Sequence, residues 1–388
     1  MAPHRWRHAA AFDDVLSLAD VDAALTGAGL RRPAFRLVRD GRALPPSSYT
    51  RPARTGSSSF DDLVDPGRTL DLFAAGATVA LQGLQRWWPP AARFCRDLEL
   101  GLGHAVQANA YLTPPGAAGL APHHDTHDVF VLQVAGSKRW TVRQPLVEAP
   151  LPRHLSDHEA AAGQPVLFEA LLEPGDVLYL PRGFVHSAAA QEGVSLHLTM
   201  GVLATTVHDV LRALVDRAGD EVAFRRSLPP GWPFDDTAAS AVKAVVADLV
   251  DWLGRVDADE VAGSLRDRFV ATRRPLLDGL LLEVAKLDAI DDDTVVARRP
   301  GTLLSLQRDP RAGHGGTSAD GLGRLRLALG DRVVLLPAAV EPAVRRLIDG
   351  QPHTVADLDD QLDHDSRRVL VRRLVREGAL RTLSTSDG

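Results

Sequence analysis

The sequence predicts an α+β fold, with strands in its first half and helices after them. Between residues 106 and 202, short runs of apolar and β-branched residues are separated by Gly and Pro, the spacing of a small antiparallel sandwich or barrel. From residue 206 onward, apolar residues recur at helical spacing. The chain has 388 residues, so two or three domains are expected.

Composition restricts the class of protein. Hydrophobic residues make up 45% of the chain and charged residues 24%, a normal globular balance. The net charge of −6 does not indicate a general nucleic-acid binder. Cys95 is the only cysteine, which excludes an intrachain disulfide and favours a reducing, cytoplasmic location. No apolar stretch is long enough to span a bilayer, so we expect no membrane partner.

Residues 1–205 are predicted to form the first domain. Its predicted strands are 106–112, 128–134, 139–142, 176–180 and 195–202. A helix that begins at residue 65 and ends before Gly76, and a strand at 77–82, precede them. The polar stretch 47–59, which contains Pro and Arg, is predicted to be a loop.

Two further segments follow. Residues 206–295 carry helical apolar spacing at 207–217, 237–254 and 257–273, which predicts a helical linker or dimerisation unit. In residues 296–388, we predict a hairpin around Gly330-Asp331, helices at 341–348 and 366–377, and a final strand at 379–383. Helix, turn, helix and strand is the order of a winged helix.

The most specific pattern is His123-x-Asp125 followed by His186. Two neutral imidazoles and one carboxylate can occupy one face of an octahedral Fe(II), leaving the other face for a co-substrate and dioxygen. Residues i and i+2 of a strand project from the same face, so His123 and Asp125 can reach one metal. His186 follows Pro-Arg-Gly just beyond the predicted strand 176–180, and a rolled-up sheet can bring it to the same place.

Neighbouring residues leave alternatives open. His124 and His127 can also bind metal, and Asp128 can replace Asp125. Strand alternation places His124 on the face opposite His123. His127 shares the face of His123, but three ligands from one strand would be strained, so substrate contact or plain exposure are its better interpretations.

Polar residues on nearby strands indicate a co-substrate. Lys138, at the start of the strand after the His-x-Asp segment, can pair with the distal carboxylate of a dicarboxylic keto acid. Asn109 and Tyr111 share one strand face and can donate hydrogen bonds into a pocket, as can Thr199 from a later strand. The alternatives are a solvated turn lysine and satisfied polar groups inside a barrel.

These segments together resemble the cupin-4, JmjC-type ribosomal oxygenases, which are Fe(II)- and 2-oxoglutarate-dependent protein hydroxylases. The segments that carry the resemblance are residues 109–115, 122–125, 128–130, 136–140, 180–183 and 195–199. The resemblance implies a double-stranded β-helix (JmjC/cupin) catalytic domain over 1–205, a helical dimerisation region over 206–295 and a winged helix over 296–388.

The resemblance also implies the roles of individual residues. His123, Asp125 and His186 would be the catalytic iron ligands. Lys138 would bind the C5 carboxylate of 2-oxoglutarate, helped by Thr199, with Asn109 and Tyr111 nearby. A homodimer would then hydroxylate an Arg or His side chain of a ribosomal protein, giving succinate and CO2. Animal members tend to have a Tyr between the ligands and acids after them, where this chain has His124, Thr126 and His127, so the target residue stays open.

Two other functions fit parts of the sequence. The triad also suits a small-molecule 2-oxoglutarate oxygenase, because the motif does not identify the substrate. Arginines between 367 and 376 suggest a nucleic-acid-binding regulator that keeps the cupin as a sensor. In residues 301–388, however, 13 Arg − 12 acids = +1, a near-neutral balance that argues against tight phosphate binding.

Overall fold

The computed structural model describes the chain except residues 28, 233, 235–237, 309–322 and 384–388. It contains two compact units, Met1–Ala204 and Thr205–Gly388. Among the described residues, no helix is both long and apolar enough to cross a membrane. The division into three domains stays a prediction.

Strands dominate the first unit. Its strands are β1 (His4–Trp6), β2 (Phe35–Arg39), β3 (Arg42–Ala43), β4 (Thr50–Thr55), β5 (Ser58–Val64), β6 (Thr78–Leu81), β7 (Ala105–Thr113), β8 (Asp128–Ala135), β9 (Lys138–Pro145), β10 (Val166–Leu172), β11 (Val177–Leu180), β12 (Phe184–Ala190) and β13 (Ser195–Leu203). Its helices are α1 (Leu18–Thr26), α2 (Pro66–Ala74), α3 (Pro89–Leu102) and α4 (His158–Ala162).

Two sheets of this unit enclose a shared core. The larger sheet has the order β1-β11-β8-β13-β7-β6-β2-β3, and the smaller has the order β10-β9-β12. Val129 and Val131 of β8 share a buried cluster with Trp140 of β9, so the sheets pack face to face. Leu132 faces a second cluster that includes Cys95 of α3. Strand β8 is therefore apolar on both faces, which is the pattern of a central strand buried on both sides.

The predicted antiparallel sandwich is confirmed, although the predicted set of strands has one error and several omissions. All five strands predicted after residue 105 are present, as β7, β8, β9, β11 and β13. The predicted loop at 47–59 is wrong: β4 and β5 pair as a hairpin that turns at Gly56, whose φ is +60°. Strands β10 and β12 were not predicted. Three of the seven residues of β12 are alanines, a residue type that is depleted in strands.

Helices open the second unit and small sheets follow. Its helices are α5 (Val207–Ala218), α6 (Ala238–Leu253), α7 (Ala258–Ala271), α8 (Leu280–Val284), α9 (Glu341–Leu347) and α10 (His364–Glu377). Its strands are β14 (Val295–Arg298), β15 (Leu304–Arg308), β16 (Arg324–Leu329), β17 (Arg332–Pro337), β18 (His353–Thr354) and β19 (Leu380–Thr382). They form the sheets β18-β14-β19 and β15-β16-β17.

The secondary structure predicted for this unit is largely present. Helices α5, α6 and α7 occupy the three predicted helical segments, although residue 237, the predicted start of α6, lies outside the described residues. The predicted hairpin is β16–β17, in which Leu329 pairs with Arg332 across Gly330. Helices α9 and α10 and strand β19 follow in the predicted order. That this order forms a winged helix stays a prediction.

Candidate metal centre

His123, Asp125 and His186 converge in the first unit. Each offers one ligand atom, and the three atoms lie within 4.8 Å of one another. His186 Nε2 is 3.7 Å from Asp125 Oδ2, and the two imidazole centroids are 4.4 Å apart. This donor set, with its close spacing, suits a divalent metal bound on one face.

The backbone explains why residues so distant in sequence meet. His123 and His186 form an isolated antiparallel bridge: each N–H donates to the other residue's carbonyl oxygen, at 3.2 and 2.8 Å. His186 follows β11, as predicted, and lies within β12, a strand that was not predicted. His123 and Asp125 precede β8, so their predicted place on a strand is wrong. Their side chains converge nonetheless.

Both histidines are oriented in the same way. Nδ1 of His123 is 2.8 Å from the carbonyl oxygen of Ala121, and Nδ1 of His186 is 3.1 Å from that of Phe184. A carbonyl can only accept, so each Nδ1 carries the proton and each Nε2 keeps its lone pair. In both cases the carbonyl belongs to the residue two positions earlier. The chain thus fixes the tautomer that a metal ligand requires.

Electrostatics favours the ligand protonation states. Burial, and then the neighbouring His123, lower the pKa of His186 to about 4 against the opposing effect of Asp125. His186 is therefore neutral at physiological pH. Burial raises the pKa of Asp125, but His186 and the other nearby imidazoles outweigh it, so the net shift is downward and the carboxylate stays ionised. Two neutral imidazoles and one carboxylate are the states that bind a metal.

The alternative ligands have other contacts. His124 is buried, its Nε2 is 3.1 Å from the carbonyl oxygen of His154, and the metal-binding group among the described residues does not include it. Asp128 accepts the backbone N–H of Arg182 at 2.9 Å. His127 lines the cavity beside the triad, and its Nε2 lies 3.5 Å from Gln107 Nε2.

The triad opens into a cavity of about 310 Å³ that Lys138 also lines. Lys138 is only 2% exposed, and its Nζ donates to Thr113 Oγ1 at 2.8 Å. Thr113 is the only hydrogen-bond partner of this ammonium among the described residues, and burial lowers the pKa of Lys138 to about 7. A buried ammonium with one neutral partner is costly unless an anion joins it. The alternative interpretation of Lys138 as a solvated turn lysine is therefore wrong.

A family model described as "JmjC domain" matches residues 84–210, which contain the triad and Lys138. The chain therefore carries a JmjC domain. Ribosomal oxygenase 1 of Rattus norvegicus is 40% identical over 184 residues, 44% of this chain and 31% of that protein. The bifunctional lysine-specific demethylase and histidyl-hydroxylase NO66 of Drosophila simulans is 34% identical over 203 residues, 49% of this chain and 21% of that protein.

The fold of this chain has solved counterparts. The structure of YcfD, a ribosomal oxygenase from Escherichia coli, in complex with cobalt and 2-oxoglutarate matches 99% of this chain and 95% of that one, with a TM-score of 0.54 and 18% identity. This likeness shows the fold. The alignments with the two curated relatives span less than a third of those proteins. The resemblance to JmjC ribosomal oxygenases predicted from the motifs is confirmed.

The other predicted site residues of the JmjC domain line the same cavity. Asn109 and Thr199 are directly paired across β7 and β13. The side-chain oxygen of Asn109 accepts the N–H of Gly83 at 2.9 Å, which leaves its amide hydrogens for other partners. Tyr111 stacks on His197 with ring centroids 5.1 Å apart. Burial and the charge of Asp125 raise the pKa of Tyr111, so its hydroxyl remains a donor.

Several of the cavity residues were not predicted, among them two aromatic side chains and an arginine. His197 is buried, and its Nδ1 has no hydrogen-bond partner in the part of the chain that the structure describes. Burial, and then the charge of Lys138, hold the pKa of His197 well below the usual range. Trp140 meets His197 edge to face at 5.4 Å. Arg36 lines the cavity from β2. The signal for His197 was its place two residues before Thr199 on one strand face.

Proposed function

We propose that this chain is an Fe(II)- and 2-oxoglutarate-dependent oxygenase that hydroxylates a protein side chain and releases succinate and CO2. The buried Lys138 ammonium carries the proposal, because it shares one cavity with the triad. A metal site alone would suit many reactions. A metal site together with a buried cation suits an anionic co-substrate that is bound at both ends.

The residues present fit both groups. His123, Asp125 and His186 would hold Fe(II) through two Nε2 atoms and one carboxylate. Lys138 would pair with the distal carboxylate of 2-oxoglutarate, and that carboxylate would offset the cost of burying the ammonium. Asn109, Tyr111 and Thr199 would donate hydrogen bonds from the strands that form one wall of the cavity. YcfD, which shares the fold, binds cobalt and 2-oxoglutarate.

Dioxygen would be the oxidant: with iron and 2-oxoglutarate bound, one of its oxygen atoms would go to the C–H bond and the other to the succinate formed from 2-oxoglutarate. The chain itself positions the metal ligands and excludes water from the cavity. Two backbone carbonyls hold the imidazoles in one tautomer, so the ligands do not have to reorganise when metal binds. Val129, Val131 and Trp140 provide the apolar part of the cavity wall, which limits the access of water to the reacting atoms.

For the substrate, we propose an Arg or His side chain of a ribosomal protein. The support comes from the relatives, which are called ribosomal oxygenases or a histidyl-hydroxylase. His127 lines the cavity beside Asp125 and is placed to contact the incoming side chain. We further propose a homodimer, because Val242, Val245 and Val246 of α6 are apolar and exposed. A cytoplasmic location stays a prediction.

We propose no nucleic-acid partner, because the basic side chains of α10 have partners within the second unit. Arg367 pairs with Asp292 at 2.5 Å, and Arg373 pairs with Glu377 at 2.9 Å. Arg368 and Arg372 both donate to the carbonyl oxygen of Ile290. Guanidinium groups that are held in this way are less free to bind phosphates.

The test is incubation of the protein with Fe(II), 2-oxoglutarate and purified ribosomal proteins. Succinate should form, and one ribosomal protein should gain the mass of one oxygen atom at an Arg or His residue. The His186→Ala variant should give neither product. Absence of both Fe(II) and 2-oxoglutarate binding by the wild type would overturn the proposal. Binding of both, with oxidation of a metabolite only, would favour the small-molecule oxygenase.

A further inference from the structure

Gly119 lies against the buried ammonium of Lys138. A Cβ atom built on Gly119 would be 3.6 Å from Lys138 Nζ, 3.9 Å from its Cε and 3.2 Å from the carbonyl oxygen of Ala188. The φ of Gly119 is outside the left-handed region, so the backbone does not require glycine here. The requirement is space: Gly119 lines the cavity at the end where Lys138 lies.

The segment that carries Gly119 is fastened to β12 and cannot easily move outward. Gly119 N–H donates to the carbonyl oxygen of Ala188 at 2.9 Å, and Ala190 N–H donates to that of Ala117 at 3.0 Å. Further along, the bridge between His123 and His186 holds the same segment. An added side chain at residue 119 would therefore project into the cavity, because a retreat of the backbone would break these bonds.

Lys138 is equally restrained. Its Nζ donates to Thr113 Oγ1 at 2.8 Å, and Thr113 Oγ1 also accepts the hydroxyl of Thr78 at 3.2 Å. An ammonium has three N–H donors, so two remain for a ligand. A carboxylate oxygen bound to Nζ would lie about 2.8 Å from it. A methyl group only 3.6 Å from the same Nζ would take part of the space that this oxygen needs.

We propose that Gly119 determines co-substrate specificity: its missing side chain keeps open the space beside Lys138 that the distal carboxylate of a five-carbon 2-oxo diacid occupies. The inference rests on the proposed function and deepens it by naming a residue that selects the co-substrate. Gly119 acts on the end of the diacid that is remote from the metal. Its substitution should therefore spare ligands that contact the metal alone.

The experiment compares the wild type with Gly119→Ala and Gly119→Ser, each loaded with Co(II). Gly193→Ala is the matched control, because a Cβ there meets nothing within 4 Å and its φ is outside the left-handed region. Binding of 2-oxoglutarate and of oxalate is measured by calorimetry. Oxalate can chelate a metal, but it lacks the five-carbon length that the proposal requires for contact with Lys138. Co(II) absorption and thermal unfolding report whether each variant keeps its metal site and fold.

We expect 2-oxoglutarate to bind Gly119→Ala and Gly119→Ser at least about tenfold more weakly than the wild type, the cost typical of overpacking. Oxalate should bind all four proteins equally. Unchanged 2-oxoglutarate affinity in both variants, or an equal loss for both ligands, overturns the role of Gly119. If the wild type itself binds no 2-oxoglutarate, the proposed function fails first, so the two failures are distinguishable.

Discussion

Replacing Lys138 by Met should stabilise the protein and abolish co-substrate binding. Burial lowers the pKa of Lys138 from 10.5 to about 7. At about 1.36 kcal/mol for each pH unit, this difference corresponds to a cost on the order of 5 kcal/mol for burying the ammonium near neutral pH. Met fills a similar volume without charge. The loss of the hydrogen bond to Thr113 destabilises the variant by only about 1 kcal/mol. We therefore expect a net gain of several kcal/mol.

The stability that Lys138→Met gains over the wild type should decrease as the pH rises. Between about pH 7 and pH 10.5, the unfolded chain keeps the Lys138 proton while the folded protein has released it. The unfolded state then binds more protons, so the stability of the wild type rises with pH across this window. The advantage of Lys138→Met should shrink by up to about 1.36 kcal/mol for each pH unit and vanish near pH 10.5.

Scanning calorimetry of the full chain at several pH values measures this difference, and it resolves the two units if they unfold separately. Addition of 2-oxoglutarate with Co(II) should raise the unfolding temperature of the wild type and leave that of Lys138→Met as it is with Co(II) alone. A variant less stable than the wild type at neutral pH would refute the reasoning. It would mean that the surrounding residues already stabilise the buried ammonium, so that no anion is needed to offset its burial.

Three further substitutions test the site and its support. Asp125→Asn should weaken Co(II) binding by more than about hundredfold in equilibrium dialysis, whereas Asp128→Asn, which keeps an acceptor for a backbone N–H, should bind normally. Gly201→Ala places a Cβ 2.6 Å from the ring of His127, so turnover of the protein substrate should fall about tenfold or more while 2-oxoglutarate binding stays unchanged. Asp176→Ala leaves an arginine and two backbone N–H groups without their acceptor, and urea denaturation should show a loss of about 2–4 kcal/mol.

The sequence predicted the strands that are rich in apolar and β-branched residues. Strand β8 alternates Val129 and Val131 with Phe130 and Leu132, and both sets are apolar enough to be recognised. Strand β12 could not be recognised in the same way, because Ala188, Ala189 and Ala190 carry no pattern. Its place in the sheet comes from pairing with β9, which is a tertiary effect.

The three residues of the candidate metal centre were predictable because their residue types are rare in such a combination, even though the predicted place of His123 and Asp125 on a strand was wrong. The His-x-Asp spacing was enough, since side chains two residues apart can converge in an irregular segment as well as on a strand. Lys138 was predictable only through its place after the His-x-Asp segment. Nothing in the sequence indicated that its ammonium would be 2% exposed.

The residues that were missed depend on strand register, which connects positions far apart in the chain. Arg36 pairs with Ala80, Ala80 with Tyr111, and Tyr111 with His197, so the four residues form one row across β2, β6, β7 and β13. Directly paired residues project from the same face of a sheet, and three of these four line the cavity.

A second row explains how one wall serves two chemical tasks. Thr113 is two residues after Tyr111 on β7 and hydrogen-bonds to both Thr78 and Lys138. The side chains of this wall therefore change along the strands. One row holds Tyr111 and His197, and the next holds the hydroxyl groups of Thr78 and Thr113, which hydrogen-bond to each other and to the Lys138 ammonium. A slip of one residue in the register of β7 would turn both rows away from the cavity. The register that packs the core is thus the same register that assembles the site, and a substitution that shifts it should remove both.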